Sequence, residues 1–239
     1  GAALRLHPTL SVGASLGLLY NENRLTAPYI FQDLQPASSA GANGAKTLLD
    51  LETSGYGWNA QIGLVYAPLT NLQFGLVYKS KSEVSSNGDA TGDAYAQFGV
   101  PPGPLAFHYD ANVRNTFPHE IDAGVSWQFL PKWRLALQLD WIGWSSAFDT
   151  LPVRLKNGNN ATVNGVVGDS FQDNIPLRWK DRFVYRAGLE YAALDNLFLR
   201  AGYAYGENPV PSGTLTPMTA AIMEHMVSAG AGWDLGPWG

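Results

Sequence analysis

The sequence predicts an all-β protein, an antiparallel up-and-down transmembrane β-barrel of which it supplies about eight or nine strands. Three observations predict it. Apolar residues alternate with polar or small ones in segment after segment. Short turns alternate strictly with long connections. Aromatic side chains gather near the strand ends, on the apolar parity.

The clearest strand is Trp133–Trp141. Trp133, Leu135, Leu137, Leu139 and Trp141 share one parity, and Arg134, Ala136, Gln138 and Asp140 the other. A strand sends alternate side chains to opposite faces, so one face is apolar with a Trp at each end and the other carries charge. A soluble core or a lipid face would both suit this one strand. Its neighbours decide. A partial strand at Leu4–Leu6 comes first. Leu10–Tyr20 follows, with Ser11, Gly13, Ser15 and Gly17 on its polar side. Trp58–Tyr66, Leu72–Tyr78 and Ile121–Phe129 repeat the pattern, as do Phe183–Tyr191, Leu197–Tyr205 and Val227–Trp233. The roughly 9–11 residues of a tilted membrane strand suit these lengths. Tyr20, Tyr66, Tyr78, Trp127, Trp133, Trp141, Tyr191, Tyr203 and Trp233 stand where rings with one wet end favour an interface. The opposite parity carries Gly and charges of both signs: Lys79, Glu120, Asp122, Arg134, Asp140, Arg186, Glu190 and Arg200. These read as a neutralised lumen network.

The short connections are His7-Pro8-Thr9, Pro68–Asn71, Leu130–Lys132 and Ala193–Asn196. The long ones cover roughly 21–54, 80–116, 145–176 and 206–224. Outer-membrane barrels have this asymmetry, with long loops on the extracellular side. Thr26–Leu34 is expected to form a short helix with Tyr29, Ile30, Phe31 and Leu34 on its apolar side, and Ala45–Leu51 a second helical turn. Tyr95, Phe98, Val100, Leu105 and Phe107 make the next long loop apolar as well. Two apolar loops at one barrel end can cradle a hydrophobic ligand or pack on each other as a lid.

Composition narrows the function classes. Charged residues are 15% of the 239-residue chain, against about 25% in a soluble domain. No run approaches the roughly 20 apolar residues of a membrane helix. The mean hydropathy of −0.10 is compatible with a barrel whose inner face is polar. The net charge is −5 and no basic cluster points to nucleic acid. With no cysteine, disulfides and thiolate metal sites are excluded. His7, His108, His119 and His225 are scattered, without metal-ligand spacing. No nucleophile elbow, phosphate loop or dinucleotide fingerprint is present. No catalytic residue, metal or cofactor is assigned.

Several stretches taken in order carry a resemblance. They are Phe117-Pro118-His119-Glu120, Trp141–Ser145, Trp179-Lys180-Asp181 with Tyr185, Arg186 and Gly188, Arg200–Tyr203, and Asn208–Pro211. From about Leu4 to Trp233 the chain resembles the long-chain fatty acid transporters of Gram-negative outer membranes, the FadL/TodX type. That resemblance implies a fourteen-stranded barrel with an N-terminal hatch. It implies passive uptake of long-chain fatty acids or other hydrophobic compounds, in an outer membrane rich in lipid and lipopolysaccharide, by a monomer when full length. Residues 1–239 would then be one partial barrel domain, lacking the hatch, the early strands and the final strands. The implied loop cradle is Tyr29, Ile30, Phe31, Leu34, Tyr95, Phe98, Val100, Leu105 and Phe107. The implied carboxylate ligands in the lumen are Lys180 and, as an approximate match, Arg24. A general porin-like or adhesin-type barrel is the alternative, and a barrel lipid esterase a more distant one.

Overall fold

A computed structural model describes residues 1–94, 105–215 and 222–235. Its strands are β1 (Ala2–His7), β2 (Leu10–Ile30), β3 (Leu34–Gln35), β4 (Lys46–Leu69), β5 (Leu72–Lys79), β6 (Ser82–Asp93), β7 (Ala106–Phe117), β8 (Glu120–Leu130), β9 (Trp133–Ile142), β10 (Thr150–Lys156), β11 (Phe171–Pro176), β12 (Arg182–Leu194), β13 (Leu197–Gly206) and β14 (His225–Trp233). One helix, α1 (Ala161–Val167), and 3-10 turns, the longest at Ala37–Ala42, complete the described elements. Every strand pairing among the described residues is antiparallel and all belong to one sheet.

Nine of these strands form a lower storey. The order β1-β2-β4-β5-β8-β9-β12-β13-β14 is that of neighbouring hairpins. The four short connections are two-residue turns: Pro8-Thr9, Thr70-Asn71, Pro131-Lys132 and Asp195-Asn196. Each has a register shift just beside it, the bulge that lets a two-residue turn match strongly twisted strands. The alternation survives intact. Leu16, Trp58, Ile62, Leu76, Tyr185 and Val227 are exposed on the apolar face. This face is far too greasy for water and suits hydrocarbon.

The other five strands form an upper storey from what the sequence suggested were loops. β2 has 21 residues and β4 has 24, and they pair without a break from Leu10↔Tyr66 to Ile30↔Lys46. At about 3.3 Å per residue β2 is about 70 Å long, twice what a membrane strand needs. On its other edge β4 pairs with β5 low down, through Gln61–Leu69, and with β6 high up, through Leu48–Gly57. Gly55 lies at this hand-over, where a Cβ would collide with the Ser85 carbonyl. The hairpin β6–β7 thus rises between β5 and β8, and β10–α1–β11 rises between β9 and β12.

Two helix expectations are corrected here. Thr26–Ile30 is the top of β2, and Lys46–Leu51 the start of β4, not helical turns. The reason is periodicity. Leu25, Ala27, Tyr29 and Phe31 recur every second residue, which places them on one face of a strand. Pro28 is tolerated because β2 has no second neighbour beyond Ala14 among the described residues. The helical segments lie elsewhere, at Ala37–Ala42 and Ala161–Val167.

Polarity changes face between the storeys. Low on β2 the exposed parity is Leu16, Leu18 and Tyr20. Higher up the same parity is Glu22, Arg24 and Thr26, while the inner parity turns apolar at Leu25. On β4 the outer parity passes from Ile62, Ala60 and Trp58 to Glu52 and Asp50. The inner parity passes from Gln61 and Asn59 to Leu51 and Leu49. The partners Tyr20 and Tyr56 mark the level, their rings 5.2 Å apart. An outer face of this composition suits lipid below that level and a polar medium above it. The buried apolar core accordingly sits in the upper storey: Phe31, Leu34, Leu49, Tyr109, Val153, Leu155 and Phe171 belong to it.

Two substitutions on β5 separate the faces. Leu76→Arg, on the lipid face in mid-strand, is expected to destabilise the membrane-inserted protein by about 2–4 kcal/mol. Gln73→Arg, on the inner face, should cost less than about 1 kcal/mol. Denaturant unfolding in lipid vesicles measures both, and equal losses would contradict the assignment of faces.

Candidate binding cavity in the crown

The upper storey closes on itself. Its order is β2-β4-β6-β7-β10-β11-β3, and β3 starts four residues after β2 ends. The sheet therefore begins and ends on one stretch of chain and forms a ring, called the crown below. Asp173 on β11 makes the closure. It pairs with Leu34 in register and is 1% exposed. Its carboxylate accepts from the Tyr29 hydroxyl at 2.6 Å, from the Asp33 N–H at 2.7 Å and from the Gln32 N–H at 3.2 Å. Charge-assisted bonds of this kind are among the stronger ones a protein makes.

The ring is filled by aromatics meeting edge to face: Tyr29–Phe31, Phe31–Phe171, Tyr109–Phe171 and Phe107–Tyr109, with centroids 5.2–5.9 Å apart. Asn160 caps α1, its side-chain oxygen accepting from the N–H groups of Thr162 and Val163. Val163 and Val167 point into the core. The Tyr109 hydroxyl donates to Asn164 Oδ1 at 2.7 Å and to the Gly168 carbonyl at 3.0 Å. Ser39 of the 3-10 turn donates to the Val167 carbonyl at 2.6 Å. Helix and turn thus pack as one lid.

Beneath this packing lies a cavity of about 320 Å³. Leu25, Leu49, Leu51, Val113, Leu151, Val153, Leu155 and Ile175 line it with Tyr29, Phe31 and Phe107. Its polar lining is small: Asn23, Asn115, Glu22, Arg24 and Asp173. The amides belong to a neutral belt below the crown. There Asn23 donates to Thr53 at 3.0 Å and Asn21 to Ser86 at 3.1 Å. Concave, apolar walls with a few polar groups are what a small-molecule site requires. Tyr29 lies nine residues above Tyr20, about 30 Å beyond the membrane level. Burial, and then the charge of Asp173, push its hydroxyl above the usual phenol range. Burial, and then Asp169, push Tyr109 up to about 12.

The expected cradle is partly assembled here. Tyr29, Phe31 and Phe107 line the cavity. Leu34 is fully buried and Leu105 packs against the same core, both behind the lining. Ile30 faces outward and is 47% exposed, because its parity is the outer one. Tyr95, Phe98 and Val100 lie outside the described residues. Asp173 and the linings from β4, β10 and β11 were missed. The inner-parity run Leu25, Ala27, Tyr29, Phe31 was the signal that could have added Leu25 and the β2 wall.

The two expected carboxylate ligands are not brought to one place. Arg24 is on the outer parity, 71% exposed, and its guanidinium is held by Glu22 at 2.7 Å and Glu52 at 2.9 Å. Lys180 does not line the cavity; it is exposed, with its backbone N–H on the Pro209 carbonyl. Among the described residues it makes no ion pair. Its neighbour Trp179 stacks on Phe148 at 4.5 Å.

The eight inner-face charges of the lower storey do pair. Lys79 holds Glu120 at 3.1 Å and Asp122 at 2.9 Å. Arg186 holds the buried Asp140 at 3.1 Å, and Gln138 donates to Asp140 at 2.6 Å. Glu190 accepts from Arg200 at 2.7 Å and lies 3.6 Å from Arg134. Within this set four cations thus face four anions.

A sheet with an apolar outer face, paired charges on its inner face and an apolar chamber above it has the make-up of an outer-membrane β-barrel wall. Residues 1–237 match the family model described as outer membrane protein transport protein (OMPP1/FadL/TodX). The chain belongs to that family and is an outer-membrane protein of the Gram-negative type. Over 236 residues it is 24% identical to the long-chain fatty acid transport protein of Escherichia coli O6:H1, covering 88% of this chain and 49% of that one. The chain therefore spans about half the length of this curated relative. Among solved structures it is similar to the Pseudomonas putida toluene transporter TodX, with a TM-score of 0.74 and 22% identity over 98% of this chain and 58% of that one. The Ralstonia pickettii toluene transporter TbuX matches with a TM-score of 0.74 at 19% identity, over 98% and 57%.

Two outcomes test the crown. Asp173→Ala strips three part-buried donors of their acceptor and is expected to cost about 2 kcal/mol. The loss should appear as faster hydrogen exchange at residues 29–35 and 171–175, with the lower strands unchanged. The pH dependence has a definite sign. Tyr29 and Tyr109 have folded pKa values raised above the unfolded value near 10. Their contribution is fully present below that pH and is lost as pH rises through about 10 toward 12 and beyond. Ultraviolet titration of tyrosinate should show the crown opening in that window and no change from this source below it.

Proposed function

We propose that the protein is a channel for passive uptake of hydrophobic compounds, and that the crown cavity is where they are first held. The observation that carries this reading is the inverted polarity of the crown. Apolar side chains turn inward around an unfilled chamber while charges face the water. A hydrophobic molecule entering such a chamber leaves water for apolar contact on nearly every side. It then moves down its gradient past the paired inner-face charges of β5, β8, β9, β12 and β13. No bond is made or broken, so no catalytic group is required. The apolar outer wall below Tyr20 and Tyr56 is proposed to meet lipid, and the charged wall above it the head groups of lipopolysaccharide. Family membership supports the class of cargo: the relatives are named for long-chain fatty acids and for toluene.

Filling the chamber tests the reading. Val153→Trp and, separately, Leu25→Trp occupy its volume from opposite walls. Each is expected to weaken binding of a long-chain alcohol at least about tenfold, measured by calorimetry in detergent. Undiminished binding in both folded variants would remove the cavity from the uptake path. The alternative, a general porin-like barrel, predicts leak of small hydrophilic solutes from vesicles containing the protein.

A further inference from the structure

We infer that the crown cavity selects uncharged hydrophobic compounds and that Asp173 is the residue that turns carboxylates away. The inference rests on the capture role proposed above and adds the chemical class of what is captured.

Three charged residues line the cavity: Glu22, Arg24 and Asp173. The single cation among them is not available to a ligand. Arg24 points to the outer side of the wall, where Glu22 and Glu52 both hold its guanidinium. Glu22 shares that outer parity and pairs with Arg24, which leaves Asp173 as the inward charge. Asp173 is different in kind. It is buried, and every donor recorded on it is neutral: one phenol hydroxyl and two backbone N–H groups. Those dipoles stabilise the carboxylate without cancelling its charge. In an apolar chamber that charge is poorly screened and reaches across the whole volume. A carboxylate entering with a hydrocarbon chain would lose its water, find no free cation and face a fixed like charge. A hydroxyl or a bare hydrocarbon end loses far less. The chamber's floor, with the neutral amides of Asn23 and Asn115, suits a hydroxyl.

Asp173 therefore has two jobs. Its oxygens close the ring, and its uncancelled charge sets the sign of what the ring accepts. Closure alone could be done by a neutral acceptor of the same shape. That makes Asp173→Asn the informative change, since the side-chain amide oxygen can still accept from the Asp33 and Gln32 N–H groups while its NH2 donates to the Tyr29 hydroxyl oxygen.

Three probes of one chain length separate the possibilities: dodecanol, dodecanoate and dodecylammonium, at about pH 8 where the last two are ionised. Binding to the purified protein is measured against Val153→Trp, which subtracts partition into detergent. The expected result is dodecanoate at least about tenfold weaker than dodecanol, with dodecylammonium at least as tight as dodecanol. Asp173→Asn should close most of the gap between alcohol and acid while hydrogen exchange shows the crown still formed. Dodecanoate binding as tightly as dodecanol, or all three binding alike, overturns the inference and leaves the uptake role standing. A gap that persists unchanged in a folded Asp173→Asn protein overturns the assignment to Asp173. If none of the three binds above the blocked variant, the capture role itself falls, a different outcome from a failure of charge selection.

Discussion

The structure depends on one constraint: which medium touches the outside of the wall. Up to Tyr20 and Tyr56 the composition of the outer face suits hydrocarbon, and above them it suits water. A continuous strand cannot rotate its faces, because its side chains alternate strictly. The composition of the faces must change instead. β2 and β4 make the change within a few residues, from Tyr20 to Leu25 and from Trp58 to Thr53. Everything else follows. Below the change, polar and small side chains turn inward and line a lumen. Above it, apolar side chains turn inward and form a core, which the lower storey lacks. A chamber between the two sits where a molecule leaving water would meet apolar surface first.

Closure of the crown depends on a few strong contacts. β3 is two residues long and could not hold β11 by ladder bonds alone. Asp173 adds its three recorded donors to that short pairing, and the aromatic contacts of Phe31, Tyr109 and Phe171 fill the space behind it. The lower storey is held differently. Its strands gain from ladders, from lipid contact and from cross-strand ion pairs such as Arg200–Glu190. Loss of the crown would thus leave the wall standing, and the two storeys can respond separately to mutation.

The lower storey was legible in the sequence because one period, one parity and one medium govern it. Trp133–Trp141 announces its own strand, and the two-residue turns set the hairpin order. The crown was legible only in part. Thr26–Leu34 looked helical because Pro28 and a cluster of apolar residues dominate it, although Leu25, Ala27, Tyr29 and Phe31 already carry a period of two. Once apolar residues change face, a reader who expects one greasy side sees noise at the crossing. α1 was hidden in Ala161–Val167, a seven-residue segment with Gly and β-branched residues that packing against Tyr109 and Ser39 sustains. The cavity was hidden for another reason. Its walls come from β2, β4, β7, β10 and β11, and no local pattern joins residues so far apart in sequence. The acid at its edge, Asp173, has no motif around it. Its role appears only when Tyr29 is seen across the ring.

With no cysteine in the sequence, single-cysteine variants test the change of face directly. Cysteines placed singly from Ser15 to Pro28 on β2 can be challenged, in outer-membrane vesicles, with a water-soluble, membrane-impermeant thiol reagent. Below Tyr20, labelling is expected only on the inner parity, at Ser15 and Gly17, with Leu16 and Leu18 shielded by lipid. Above Glu22 the reverse is expected, with Arg24, Thr26 and Pro28 labelled and Leu25 and Ala27 protected. A single parity of labelling along the whole strand would contradict the change of face.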